Sequence, residues 1–432
     1  MAATGLVTYA YFSLASHALV PAEYGRITLL WAAVFIAVSV LYRPVEQLLA
    51  RTVADRDARA GLGGGIGSRR PLRDAARIQL ALAAAFTAAA LALRAPLQDG
   101  LLGGSAALYW ILLGAVLAYA ASYFARGVLS GRGRLGAYGG LLLLESSVRV
   151  LFAIAVAVGL AAGASFVAFG MVVGPAVSLA VVAAFFARGT PRPPRTSTAM
   201  ALPQPGEAVE PEFTLRRGAG YAGGVLAVMA CEQAFLNVGP VLVNATEGAG
   251  GAALAGFVFN ALLIVRAPLQ LFQAVQAAIL PHLTRLRARG HADPFQRGVT
   301  LTLLAIAGFA ALVALALLAV GPPLMGVLFG GGYEYGRGGL ALLGLGMGLY
   351  LAAATLTQAA LARGQAGAAA ARWAVGATAF AALLVVPSES GRVLGVELAF
   401  TGGALVLFIS LYALHRSAGR RDRALAQSVG AD

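Results

Sequence analysis

Lysine is absent from this 432-residue chain, so all 32 basic residues are arginine. Charge is scarce, at 12% of residues, where a soluble domain carries about a quarter. A soluble globular fold is thereby excluded. There is a single cysteine, Cys231, so no intrachain disulfide can form. The four histidines, His17, His282, His291 and His415, are scattered, and no Cys/His spacing suggests a metal site or a cofactor. The glycine-rich Gly61–Ser68 lacks the lysine–hydroxyl pair of a phosphate-binding loop, and no strand precedes it. Nothing resembles a paired-carboxylate or His/Ser/Asp constellation, which argues against an enzyme. The net charge of +14 is not a nucleic-acid footprint, because the arginines sit in loops between apolar runs.

What is present is hydrophobicity: 59% of residues are apolar. They gather in twelve runs near the length of a membrane span. We place these at Thr4–Val20, Gly25–Leu49, Ile78–Leu97, Ala107–Phe124, Gly139–Leu160 and Phe166–Phe186, then at Ala219–Val243, Ala252–Val275, Gly298–Val320, Leu340–Leu361, Trp373–Pro387 and Val393–Leu414. The first run looks like a retained helix. It is short for a span, as if a few residues were missing before it. Abundant Gly and Ala suit close helix packing in lipid.

Arginine placement tests the map. One set of alternate loops carries nearly all of the loop arginines, including Arg126 and Arg363; the opposite set holds only Arg26, Arg94, Arg337 and Arg392. This alternation puts both termini in the cytoplasm of a bacterial plasma membrane. The predicted domains are an N-terminal six-helix lobe (1–187), a Pro/Arg-rich cytoplasmic linker (188–217), a C-terminal six-helix lobe (218–414) and a basic cytoplasmic tail (415–432).

The halves repeat in order. VLYRPVEQ near the end of the second run matches IVRAPLQL near the end of the eighth, and FARG (Phe124–Gly127) matches LARG (Leu361–Gly364). The fold expected is therefore an all-α polytopic membrane protein of about twelve transmembrane helices. Its two six-helix lobes are related by a pseudo-two-fold axis along the membrane normal, with the substrate site between them.

Ionisable groups at membrane depth need a partner or a water-filled cavity. Arg43 and Glu46, three apart around the helix-bending Pro44, read either as an ion pair near the headgroups or as cavity lining. Arg266 stands two residues before Pro268 with no acid within one turn, which favours a cavity wall or an anionic ligand. Glu145 and Arg149, four apart, read as a structural ion pair at the start of the fifth run. Glu232, deep in the seventh run, reads as a proton- or cation-coupling acid or as the partner of an arginine. Arginine's planar donor fork suits phosphate.

Several stretches resemble the polysaccharide flippases of the multidrug/oligosaccharidyl-lipid/polysaccharide exporter superfamily, in their actinobacterial form. They are ALVPAEYGRITLLWAAVFIA (Ala18–Ala37), RPVEQLLAR (Arg43–Arg51), ARGVLSGRGRLGAYGGLLLLESSVRVL (Ala125–Leu151), RAPLQLFQAVQAAILPHLTRL (Arg266–Leu286) and LFGGGYEYGRGGLALLGLG (Leu328–Gly346). The resemblance implies a two-lobed transporter that moves lipid-linked (polyprenyl diphosphate) glycans across the membrane by alternating access. Membrane lipids and other polysaccharide-assembly membrane proteins would be its partners. It implies diphosphate contacts for Arg43 and Arg266, with Arg26 a third. Glu46 departs from a purely cationic site. The competing reading is a cation- or proton-coupled small-molecule antiporter of the same fold, for which Glu232 is the candidate acid. A membrane enzyme would need a group such as Glu334, in the external loop expected at Gly321–Gly339.

Overall fold

Apolar sequence that cannot leave its backbone amides unsatisfied in lipid must close its hydrogen bonds internally, and every described segment does so as helix. The computed structural model describes residues 2–61, 70–187, 215–267, 292–331, 333, 335–386 and 392–429. The first half comprises α1 (Ala2–Ala18), α2 (Pro21–Leu41), α3 (Arg43–Gly61), α4 (Arg70–Ala92), α5 (Ala106–Gly131), α6 (Leu135–Ala157) and α7 (Ala164–Ala187). The second comprises α8 (Leu215–Glu247), α9 (Gly251–Ala267), α10 (Ala292–Phe329), α11 (Arg337–Ala362), α12 (Ala366–Val385) and α13 (Arg392–Val429). The α2–α3 pair is one kinked apolar segment, Pro21–Ala54. The described helices thus make twelve segments, as the runs predict. Nine of them are long and apolar enough to cross a membrane. The chain is a multi-pass membrane protein.

The chain divides into two compact units. The N-terminal unit holds Ala3–Leu19 and Ala33–Gly218, and the C-terminal unit holds Val20–Ala32 and Ala219–Asp432. The division runs through α2, whose first half packs within the C-terminal unit. There a Cβ on Gly25 would overlap the Ala252 carbonyl, so only glycine lets α2 and α9 cross this closely. The Tyr24 hydroxyl reinforces the crossing by donating to Asn260 Oδ1.

The two units share one construction. In the first, α5 packs against α4 and α7, and α7 carries α6; in the second, α11 packs against α10 and α13, and α13 carries α12. Helices α5 and α11 each have 26 residues. Each ends in the same turn. Arg132 and Arg363 close the helices with φ/ψ of −83/3° and −89/2°. Gly133 and Gly364 follow at φ 68° and 71°, the left-handed region open to glycine. The amides of Arg134 and Gln365 then return to the carbonyls of Leu129 and Ala360, both at 2.9 Å. The repeat is therefore real but its register differs from the FARG–LARG match: Arg363 corresponds to Arg132, six residues beyond Arg126. A short Arg-Gly string recurs by composition, and only the turn geometry separates its copies.

Other boundaries also move. Helix α10 continues through Pro322 and Pro323 to Phe329, so the expected external loop Gly321–Gly339 shrinks to residues 330–336. The apolar LMGVLF after the prolines keeps the segment helical, and at 38 residues it reaches about 57 Å. Helix α12 begins at Ala366 rather than Trp373, because the turn at Gly364 sets its start. Helix α13 runs on to Val429, through most of the predicted tail. The Gly61–Ser68 loop beyond Gly61, nearly all of the 188–217 linker, Pro268 onward in the Arg266 stretch, His282, His291 and Glu334 lie outside the described residues.

Candidate functional site

The α2–α3 kink sets the first part of the site. Pro44 has no amide to donate, so the ladder is interrupted where Tyr42 forms a turn. The helical course survives, with Tyr42 N bonding Val38 O and Glu46 N bonding Tyr42 O, both at 2.9 Å. Arg43 begins α3 and is exposed. Glu46 is half-buried, and its Oε1 accepts from the Tyr138 hydroxyl of α6 at 3.1 Å. The expected Arg43–Glu46 pair does not form, because Glu46 turns toward α6 and away from its helical neighbour. Arg43 has no ion-pair partner among the described residues.

Glycines on α5 hold α3 in place. A Cβ on Gly127 would sit 2.9 Å from the Glu46 carbonyl oxygen, and one on Gly131 would sit 2.6 Å from that of Ala50. Gly127 and Gly131 of α5 thus hold the α3 backbone, while Tyr138 of α6 holds the Glu46 side chain.

Arg126 is also where sequence reasoning went most astray. Read as a loop arginine, it lies inside α5 and is 6% exposed. Its Nη2 donates to Glu145 Oε2 at 2.6 Å, and its guanidinium lies 4.6 Å from the Tyr123 ring centre and 5.8 Å from that of Tyr119. Ser122 Oγ donates to the same carboxylate oxygen at 3.3 Å. The predicted Glu145–Arg149 pair exists but is longer, at 3.7 Å. Arg149 also donates from Nη2 to Ser146 Oγ at 3.1 Å and from Nε to the Glu145 carbonyl at 3.3 Å. Both residues lie in the middle of α6 rather than at its start. Glu145 and Arg149 are 2% and 5% exposed. Two guanidiniums thus share one fully buried carboxylate.

In the C-terminal unit, Arg266 lies near the end of α9 and is partly buried. Arg26 is half-buried next to the Gly25 crossing, and its Nε is enclosed with no hydrogen-bond partner. Gly25 meets α9 at Ala252 and Gly256. Ten residues of helix, about 15 Å, separate Gly256 at this crossing from Arg266. Glu232 is half-buried and its Oε1 accepts from the Tyr350 hydroxyl at 3.1 Å. That tyrosine packs edge-on against Trp373, whose Nε1 donates to Thr357 Oγ1 at 2.8 Å. Near the start of α11, Tyr333 and Tyr335 stack beside Phe257. Burial pushes the Tyr333 phenol up to about 12, and burial together with Glu397 holds Tyr335 well above the ordinary tyrosine range.

Tyr138, Arg126 and Tyr350 were missed from sequence. Tyrosines are common in apolar runs, and nothing local marks the ones that reach a carboxylate on another helix. No group of three or more metal-ligating side chains occurs among the described residues.

The fold matches solved transporters over almost its whole length. An inward-facing multidrug resistance MATE family transporter of the MOP superfamily superposes with a TM-score of 0.69 at 14% identity, covering 98% of this chain and 96% of that one. An outward-facing structure described in the same words gives 0.62 at 13% identity, covering 98% and 94%. The Vibrio cholerae MATE transporter VcmN in its bent form gives 0.54 at 17% identity, covering 98% and 95%. No protein-family model matches the sequence, and no curated protein of similar sequence was found.

Proposed function

We propose that the protein is a plasma-membrane transporter that flips lipid-linked (polyprenyl diphosphate) oligosaccharide or polysaccharide precursors by alternating access. The carrying observation is Arg43: an exposed arginine without an ion pair, at a proline kink in a membrane-spanning segment, whose neighbouring acid is engaged elsewhere. An arginine in that setting is expected to face water or an anion, and its donor fork fits a diphosphate. The fold shared with MOP-superfamily transporters is compatible with alternating access. The protein performs no covalent chemistry in this reading, and both termini lie in the cytoplasm. Its partners are the lipid-linked glycan, the surrounding lipids and the membrane proteins of glycan assembly.

Proteoliposomes carrying a fluorescent polyprenyl-diphosphate glycan in one leaflet test the proposal. Faster equilibration between leaflets with the protein than without it supports flipping, and equal rates refute it. A second reading rests on Glu232, held by Tyr350 in a carboxylate–phenol contact. It is a cation- or proton-coupled small-molecule antiporter, in keeping with the multidrug transporters of the same fold. Its test is drug efflux by the wild type and by Glu232→Gln; efflux unaffected by the change removes this reading.

A further inference from the structure

The chain contains its own control for the buried charges of the N-terminal unit. The shared turn fixes the register of the two units: Arg363 follows Arg132 by 231 residues, at the ends of helices of equal length. In that register Tyr119 corresponds to Tyr350, and both are almost fully buried. The packing around them also corresponds. Gly170 and Gly174 of α7 seat against Arg149 and Glu145 of α6, as Gly403 and Leu407 of α13 seat against Phe380 and Gly376 of α12. At the charged positions the chemistry differs: Arg126, Glu145 and Arg149 correspond to Thr357, Gly376 and Phe380.

The second unit fills these places with Trp373 bonded to Thr357 and with Phe380 packed at a tilt on Phe235 and edge-on to Phe400. This architecture therefore packs without ions at these positions. Burying two guanidiniums and a carboxylate instead carries a desolvation cost that apolar side chains avoid. A role beyond packing follows, and the placement of the ion pair says which. Arg126 of α5 is clamped by Glu145 of α6 at 2.6 Å. The same two helices hold Glu46, α5 through the Gly127 seat and α6 through Tyr138. Glu46 lies in the first turn of α3, one turn from Arg43.

We propose that the Arg126–Glu145 pair, by joining α5 to α6, positions the two helices that hold the first turn of α3 and so presents Arg43 to an anionic ligand. The inference rests on the reading of Arg43 given above. The network is an anchor at the fixed end of the kink: Arg126–Glu145 joins α5 to α6, Tyr138 secures the Glu46 side chain, the Gly127 seat secures the α3 backbone, and the exposed Arg43 lies in the same turn.

Two measurements separate this inference from that reading. The first places a nitroxide label on α3 through Leu48→Cys in a Cys231→Ser background; Leu48 is 53% exposed. The network variant is Arg126→Met/Glu145→Leu/Arg149→Met, which strands no charge, and Tyr138→Phe serves should that variant fail to fold. Label mobility is expected to rise in either variant and to stay unchanged in Arg43→Ala. Unchanged mobility in the folded variants overturns the inference, whatever the ligand. The second measurement is binding of geranylgeranyl diphosphate in detergent. Arg43→Ala is expected to weaken it about tenfold, the network variant several-fold, and their combination no more than Arg43→Ala alone, since residues acting through one group are not additive. Multiplying effects overturn the inference. Raised mobility with diphosphate binding indifferent to Arg43→Ala refutes the anion site while the anchor stands.

Discussion

Replacing Glu145 with glutamine removes one negative charge and leaves two guanidiniums buried. The carboxylate side chain is 3% exposed, and those of Arg126 and Arg149 are 7% and 6% exposed. Two unit charges about 4 Å apart interact by about 4 kcal/mol at an effective dielectric of 20. Glu145 supplies that attraction to two partners, offset by the desolvation of all three groups. Breaking a buried pair by removing one partner costs about 3–5 kcal/mol, and Glu145→Gln is expected in that range. Removing all three charges in Arg126→Met/Glu145→Leu/Arg149→Met should cost much less and can stabilise, since packed apolar replacements of buried ionic triads are commonly neutral or better by about 1–4 kcal/mol. The assay is thermal unfolding in one detergent, followed by intrinsic fluorescence and by the monodisperse fraction after heating. The expected order is wild type close to the triple variant, with the single variant well below both. A triple variant less stable than Glu145→Gln would refute the reasoning, because it would mean that the ions themselves hold the helices together.

Gly127→Leu should displace α3 from α5, since even a Cβ there would lie 2.9 Å from the Glu46 carbonyl; lower thermal stability and loss of diphosphate binding together check it, and wild-type behaviour in both contradicts the seat. Arg43→Ala should slow glycan-lipid flipping about tenfold while leaving the unfolding temperature within a degree or two of wild type, as suits an exposed side chain without an ion pair. Tyr350→Phe removes one hydrogen-bond donor to Glu232 and should change the pH profile of transport wherever Glu232 couples; an identical profile detaches this contact from coupling. Tyr333, whose phenol is pushed up to about 12 by burial, should keep its proton when free tyrosine loses it near 10. Its raised value means that stability is intact below about pH 10 and falls as pH rises toward 12. Tyr333→Phe should lessen that alkaline loss, measured by unfolding temperature against pH.

The helices were legible because lipid enforces a single solution: apolar stretches of span length must close their own hydrogen bonds. Pro44 announced the α2–α3 kink for the same reason, since a missing amide acts locally. Pro322 and Pro323 show the limit, because α10 absorbs both and continues to Phe329. Glu46 was paired with Arg43 by helical spacing, yet it bonds Tyr138, 92 residues away.

Composition and pattern by themselves determined the class of this protein, its helix inventory and the existence of a repeat. All of these follow from interactions within one helix or between one helix and its solvent. Which arginine meets which acid was decided only by tertiary structure. Arg126 sits in a string that reads as a helix end, and only the packing of α5 against α6 turns it into the buried partner of Glu145. The same applies to the register of the repeat: the turns at Gly133 and Gly364 fix it through backbone conformation, which the recurring Arg-Gly letters do not encode uniquely.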